Sequence, residues 1–263
     1  MRFYLGVHNL APLPALYGEM GWVAVKYIIY LNIIRFWNRL IKLPDTSITK
    51  HIFQREVSLS LTGKSNWASE VNNILSSISE RNFTSVYELE TYNIITIKKK
   101  LFDLMERKWL QDIHKKPKLR RYVTYKQTLK TSEYVKGFLC KTKRSLLSQL
   151  VIGILPLHLE TGRHKRIKDS STGCTRNLRP EERICSQCNF KETEDELHFI
   201  FICPLYSQFR QQLFDVCLLK DQNYALLSNE DKYICMLNCC NTALAVYIND
   251  SWSERKKHIF NKV

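Results

Sequence analysis

Apolar side chains recur at three- and four-residue steps along most of this chain, a spacing that lines one face of a helix and predicts a mainly α protein. The stretch "GWVAVKYIIYLNIIRFWNRLI", residues 21–41, reads as a buried amphipathic helix. Lys26, Arg35 and Arg39 make it too polar to cross a bilayer, so no membrane partner is expected. Pro44, Asp45 and Thr46 end that helix and offer a cap for "SITKHIFQREVSLSLTG", which closes at Gly63. Ser65 is placed to cap "NWASEVNNILSSIS". After the break at "RNFTS" a longer helix is expected from about Val86 to His114, with an apolar stripe of Ile94, Ile97, Leu101, Leu104 and Met105. Lys98, Lys99, Lys100, Asp103 and Arg107 fall on its other face.

Pro117 breaks this helix inside "HKKPKLRRYVTYKQTLK", the densest basic stretch, where Tyr122 and Tyr125 are interleaved with lysine and arginine. The next helical stretch, "SEYVKGFLCKTKRSLLSQLVIGILPLHLE", offers Val135, Leu139, Leu146 and Leu150 as its buried side. It leads into "TGRHKRIKDSSTGCTRNLRPEER", read as a flexible polar loop. "SQFRQQLFDVCLL" and "DKYICMLNCCNTALAVYINDSWSERKKHIF" read as two more helices.

Composition adds size and charge to this picture. At 263 residues and 44% hydrophobic, the chain can bury a substantial core. Its net charge of +15 is uneven: residues 1–92 carry +2, residues 93–180 carry +16 and residues 181–263 carry −3. Charge concentrated in this way attracts polyanions, which makes nucleic acid the first partner to consider, with a solvated basic helix face as the plain alternative. The N-terminus lacks the charged start and apolar run of a secretion signal, so a reducing, intracellular setting in nucleus or cytoplasm is expected. Nine cysteines are then thiols or metal ligands, not a disulfide framework.

Four of the candidate ligands cluster, as Cys185-x2-Cys188-x9-His198-x4-Cys203. A CxxC turn brings two sulfurs to one ion, and three thiolates with an imidazole make a closed tetrahedral set for structural Zn2+. "ETEDELHFIFI" reads as a helix with acidic first turns, from which His198 projects. A gap of five residues is awkward on a continuous helix. Pro204 offers a way round, because it pushes Cys203 out of the α region and lets a new helix start at the proline. Arg183 and Lys191 are near enough in sequence to balance the thiolates. Two other readings compete: Cys203 as a small core residue, and Cys185 with Cys188 as a redox pair. Cys235, Cys239 and Cys240 read as packing residues of a helix, and Cys174 as an incidental thiol.

"LPLHLETGRHKR", then "EERICSQC", then "EDELHFIFICPLYSQFR" resemble, in order and spacing, the zinc-binding region near the C-terminus of the reverse transcriptases of non-LTR (LINE-type) retrotransposons. "RFYLGV", "GEMGW" and "RFWNRL" are similar to the segment after the polymerase domain of such proteins, and "AVYINDSWSERKKHIF" to their closing helix. Val151 departs from the pattern, where an arginine is expected. The resemblance implies helical bundle-like segments with a small Cys3His zinc-knuckle-like subdomain. It divides the chain into a helical region (1–116), a basic and zinc-binding region (117–215) and C-terminal helices (216–263).

Such proteins copy RNA into DNA, but no paired aspartates of a polymerase occur here, and no nuclease motif at workable spacing. The expectation is therefore a non-catalytic module that binds RNA, target DNA or both. Lys115, Lys116, Lys118, Arg120, Arg121 and Lys126 are the first candidates for phosphate contacts, and Arg163, His164, Lys165, Arg166 and Lys168 the second. Tyr122 and Tyr125 are either stacking platforms or core. The rival expectations are a zinc-stapled protein-interaction scaffold and a non-functional relic of the element.

Overall fold

The computed structural model describes residues 1–168 and 174–260. It is 65% helix and 3% strand, which settles the class as mainly α with a small Cys/His cluster. The chain groups into two compact units, residues 23–111 and residues 1–22 with 112–263. The first residues of the chain belong with its C-terminal part.

In residues 23–111, the helices α2 (Val25–Ile41), α3 (Ile48–Leu61) and α4 (Trp67–Ser77) pack with the greater part of α5 (Ile94–His114). Helix α1 (Leu13–Met20) lies in the other unit. Only one side of α2 is buried, at Tyr27, Ile34, Trp37 and Leu40. Trp37 is the centre of an aromatic core: it stacks on Phe83 with centroids 4.7 Å apart and meets Phe53 edge-on at 5.0 Å. Its indole N–H also donates to the Glu90 carbonyl at 3.2 Å. Asn38 donates to the Tyr92 carbonyl and accepts from its N–H, which pins residues 90–92 along α2 as an extended strap. This strap is why the helix expected from Val86 begins only at Ile94, where the Asn93 side chain accepts from the N–H groups of Ile95 and Thr96. Asn66, not Ser65, caps α4, and it forms a capping box with Ser69.

In the second unit, α9 (Asn241–Phe260) packs against α6 (Lys141–Val151), α7 (Ser207–Lys220) and α8 (Asn229–Cys239). The single helix expected over residues 231–260 is therefore two, joined at Cys240. Cys240 is buried, while Cys235 is half-buried and Cys239 exposed, so the packing role narrows to one of the three. The helical stretch around α6 is divided, with short turns at Glu133–Lys136 and His158–Thr161 on either side. Leu147 and Leu150 face the core there, and Leu139 and Leu146 are half-buried.

The N-terminal segment joins this unit through backbone bonds that hydropathy does not reveal. Ser145 Oγ and Gln149 Nε2 both donate to the Gly6 carbonyl, and the Tyr122 hydroxyl donates to the Ala15 carbonyl at 3.2 Å. Gly21 turns with φ +60°, and a Cβ there would lie 2.4 Å from the Thr131 N, so the close approach of these two segments requires glycine. The arms of the expected polar loop pair as an antiparallel ribbon of β1 (Arg166–Lys168) and β2 (Thr175–Asn177), with Ile167 opposite Arg176. Residues 169–173 of that loop lie outside the described residues. Among the described residues, no helix is long and apolar enough to cross a membrane.

Candidate metal centre and the basic surface

Residues 183–194 fold back on themselves. Ile184 pairs with Thr193, the Cys185 N–H donates to the Glu192 carbonyl at 2.8 Å, and the Glu194 N–H donates to the Arg183 carbonyl at 3.0 Å. Lys191 takes a left-handed φ of +55° in the turn. The CxxC pair sits on this knuckle. The partner pair comes from a π-helical turn, His198–Ile202, not from the α-helix expected there. The Cys203 N–H donates to the His198 carbonyl at 2.8 Å, five residues back. Widening the turn to five residues puts positions 198 and 203 in line, which removes the difficulty of the x4 gap. Pro204 acts as expected as well: Cys203 has ψ 121°, outside the α region, and the chain restarts at Pro204 and runs into α7.

Sγ of Cys185, Cys188 and Cys203 and a ring nitrogen of His198 all lie within 4.8 Å of one another, close enough to hold a metal ion. Cys185, His198 and Cys203 are buried and Cys188 is half-buried. Nδ1 of His198 lies 3.2 Å from a carboxylate oxygen of Glu192, which leaves Nε2, 3.4 Å from Cys188 Sγ, on the cluster side. The cluster holds its protons unevenly. Hydrogen bonding to Cys203 and burial push the Cys185 thiol up, while the same bond pulls the Cys203 thiol down. Burial works against the His198 cation, but hydrogen bonds with Cys185, Glu192 and Cys188 raise it to about 9. A bound cation competes with these protons for the same lone pairs.

Residues that sequence reasoning missed support the ligands. Glu194 is buried and receives both Nη atoms of Arg255 on α9, with Nη2 at 3.0 Å, and the His158 N–H at 2.7 Å. Arg210 on α7 donates to the carbonyls of Ile200 and Cys203, closing the end of the π turn. Arg183 does not turn to the thiolates: its guanidinium donates to the carbonyls of Leu159 and Leu178. Gly162 is small because Arg183 passes over it, and a Cβ there would lie 2.9 Å from Arg183 Cγ. Lys191 is exposed.

The basic candidates separate into two groups. Arg120 pairs with Glu196, and Arg121 with Asp195 at 2.5 Å and Glu230 at 2.6 Å. Lys118 pairs with Glu160. Lys126 is buried, donates to the Lys130 carbonyl and Ser132 Oγ, lies 4.0 Å from Glu19, and has its pKa lowered by burial. These four candidates for phosphate contacts are each tied to carboxylates or carbonyls of the chain itself. The acidic run beside His198 answers the start of the helical turn as expected, with Asp195 Oδ1 accepting from the His198 N–H at 2.8 Å, and it also receives Arg120 and Arg121. Tyr122 is core, and Tyr125 is half-buried with its hydroxyl donating to Ser132 Oγ. Arg163 is half-buried against Glu160. Lys115, Lys116, His164, Lys165, Arg166 and Lys168 are exposed, the last two on β1.

Compared with protein-family profiles, with curated proteins and with solved structures, the chain shows no match.

Proposed function

We propose that this chain is a non-catalytic nucleic-acid-binding module, of the kind that closes the reverse transcriptase of a non-LTR retrotransposon, truncated or domesticated, and held in shape by a structural Zn2+. The observation that carries the reading is the pairing of a closed Cys3His cluster with an exposed basic ribbon immediately before it in the chain. Three thiolates and one imidazole within 4.8 Å suit a four-coordinate soft-to-borderline ion. All four positions are then filled by protein, so the ion would hold residues 158–210 together and supply no reactive water. Lys115, Lys116, His164, Lys165, Arg166 and Lys168 would contact phosphates.

Zinc content per chain and a gel-shift titration with single-stranded RNA and duplex DNA test the two halves of the reading. Wild type should carry about one zinc and Cys188→Ser none. Affinity should fall by roughly 0.7 to 0.9 log units per tenfold salt for each phosphate neutralised. Replacing Lys165, Arg166 and Lys168 together by glutamate should weaken binding while leaving the melting temperature within about 2 °C, because exposed charges away from packed features change stability little. A flat salt response would sink the nucleic-acid half, and zinc-free reduced protein the metal half.

The scaffold reading is favoured by one feature of residues 23–111. Val23, Ile28 and Leu31 face Ile95, Phe102 and Met105 across an open apolar groove of about 470 Å³. Binding of a protein partner without any affinity for nucleic acid would select it.

A further inference from the structure

A second cleft, outside the metal centre and the basic ribbon, lies between α6 and α9. It has a volume of about 450 Å³, and its walls include Lys141, Ser145 and Gln149 of α6 and Asn249, Trp252 and Lys256 of α9. That volume falls within the range of small-ligand sites. No carboxylate is among its lining residues, so its two lysines give it a positive field. Lys256 is exposed, and Lys141 lies at the rim with its Nζ 4.3 Å from the Phe3 ring.

The cleft has one large aromatic wall, and that wall is fixed in place. Trp252 is half-buried, with the Arg255 guanidinium 5.4 Å from its ring centroid and Phe199 edge-on at 6.5 Å. Arg255 is itself held by Glu194 of the metal knuckle and by the Tyr206 hydroxyl at 3.1 Å. The indole is therefore braced from behind by a buried ion pair while it lines the cleft. A rigid indole beside two cations suits a flat ring carrying an adjacent anion, and it fits poorly with an apolar or acidic-free ligand.

We propose that this cleft takes one base of a single-stranded nucleic acid, stacked on Trp252, with the neighbouring phosphates met by Lys141 and Lys256. The Gln149 and Asn249 amide nitrogens are engaged within the protein, with Gly6 and Ser145 and with Asp250, so these side chains offer their amide oxygens to the base edge. The proposal rests on the nucleic-acid reading above and adds the preference for unpaired strand, since a base in a duplex cannot present its face to the indole.

Fluorescence anisotropy with a labelled ten-residue oligouridine, a duplex of the same length and inorganic polyphosphate tests it. Trp252→Ala should weaken oligouridine binding roughly 5- to 150-fold and leave duplex and polyphosphate binding unchanged. Trp252→Phe should restore most of the loss. Lys141→Ala and Lys256→Ala should each reduce the salt slope for oligouridine by about 0.7. Ser253→Glu puts a negative charge on an exposed lining position without removing a packed ring, so it carries the test if Trp252→Ala folds poorly, and it should also weaken oligouridine selectively. Wild-type affinity in both Trp252→Ala and Ser253→Glu would overturn the cleft and leave the module reading standing. An equal loss for polyphosphate would overturn the stacking. Wild-type protein that binds none of the probes would overturn both readings.

Discussion

Glu194 and Arg255 show how much a single buried pair decides here. Their side chains are 1% and 7% exposed, and they join the metal knuckle to the last helix. Breaking one side of such a pair strands the other charge in the interior, which typically costs about 3–5 kcal/mol. Glu194→Gln should therefore lower thermal stability by many degrees in circular dichroism, more than substitution of the exposed Glu192. Tyr92 gives a pH dependence of known sign. Burial, and then Glu90, raise its hydroxyl to about 12, against an ordinary value near 10. Between those values the unfolded chain has lost the proton and the folded chain keeps it, so the stability from this group is present below pH 10 and drains away toward pH 12. Urea unfolding midpoints should fall over that window, and Tyr92→Phe should flatten part of the fall. At this scale the four clustered cysteine and histidine side chains were legible as candidate ligands, because residue type and spacing are properties of the chain. Glu194 was not: it is one acid in a run of acids, and its partner lies 61 residues away.

Among the elements, the π turn His198–Ile202 carries the most consequence. Spacing alone showed the problem of placing His198 and Cys203 on one ion, and Pro204 pointed to part of the answer. The extra residue in the turn supplied the rest. Inserting one alanine after Phe201 would set His198 and Cys203 six positions apart, a spacing that neither an α nor a π turn brings into line, so the insertion variant should bind zinc no better than Cys188→Ser when zinc is measured by atomic absorption. Other element boundaries moved for local reasons. Helix α5 starts at Ile94 because Asn38 holds Tyr92 extended, and α4 starts after Asn66 because Asn66 and Ser69 satisfy each other's backbone groups. The most basic segment of the chain was legible as basic but not as spoken for. Lys118, Arg120 and Arg121 meet Glu160, Glu196 and Asp195, all more than 40 residues away in sequence.

For the molecule as a whole, two cores coexist. The aromatic core around Trp37, Phe53 and Phe83 lies within residues 23–111, whereas the cysteine and histidine cluster lies within residues 1–22 and 112–263. Metal removal should act on one core only. In hydrogen exchange read by mass spectrometry, a chelator should strip protection from peptides covering 183–210 and the facing part of α9, and spare those covering 34–57. Uniform loss across both would contradict the division. Periodicity, charge and residue spacing determined the helical class, the basic middle third and the identity of the four clustered cysteine and histidine side chains, because each depends on residues close in sequence. Only the tertiary structure decided which of the described lysines and arginines are exposed, why the first 22 residues belong with the last half of the chain, and how Trp252 comes to wall a positive cleft. Those outcomes depend on which distant carbonyls and carboxylates meet a given side chain, and local sequence holds no record of such meetings.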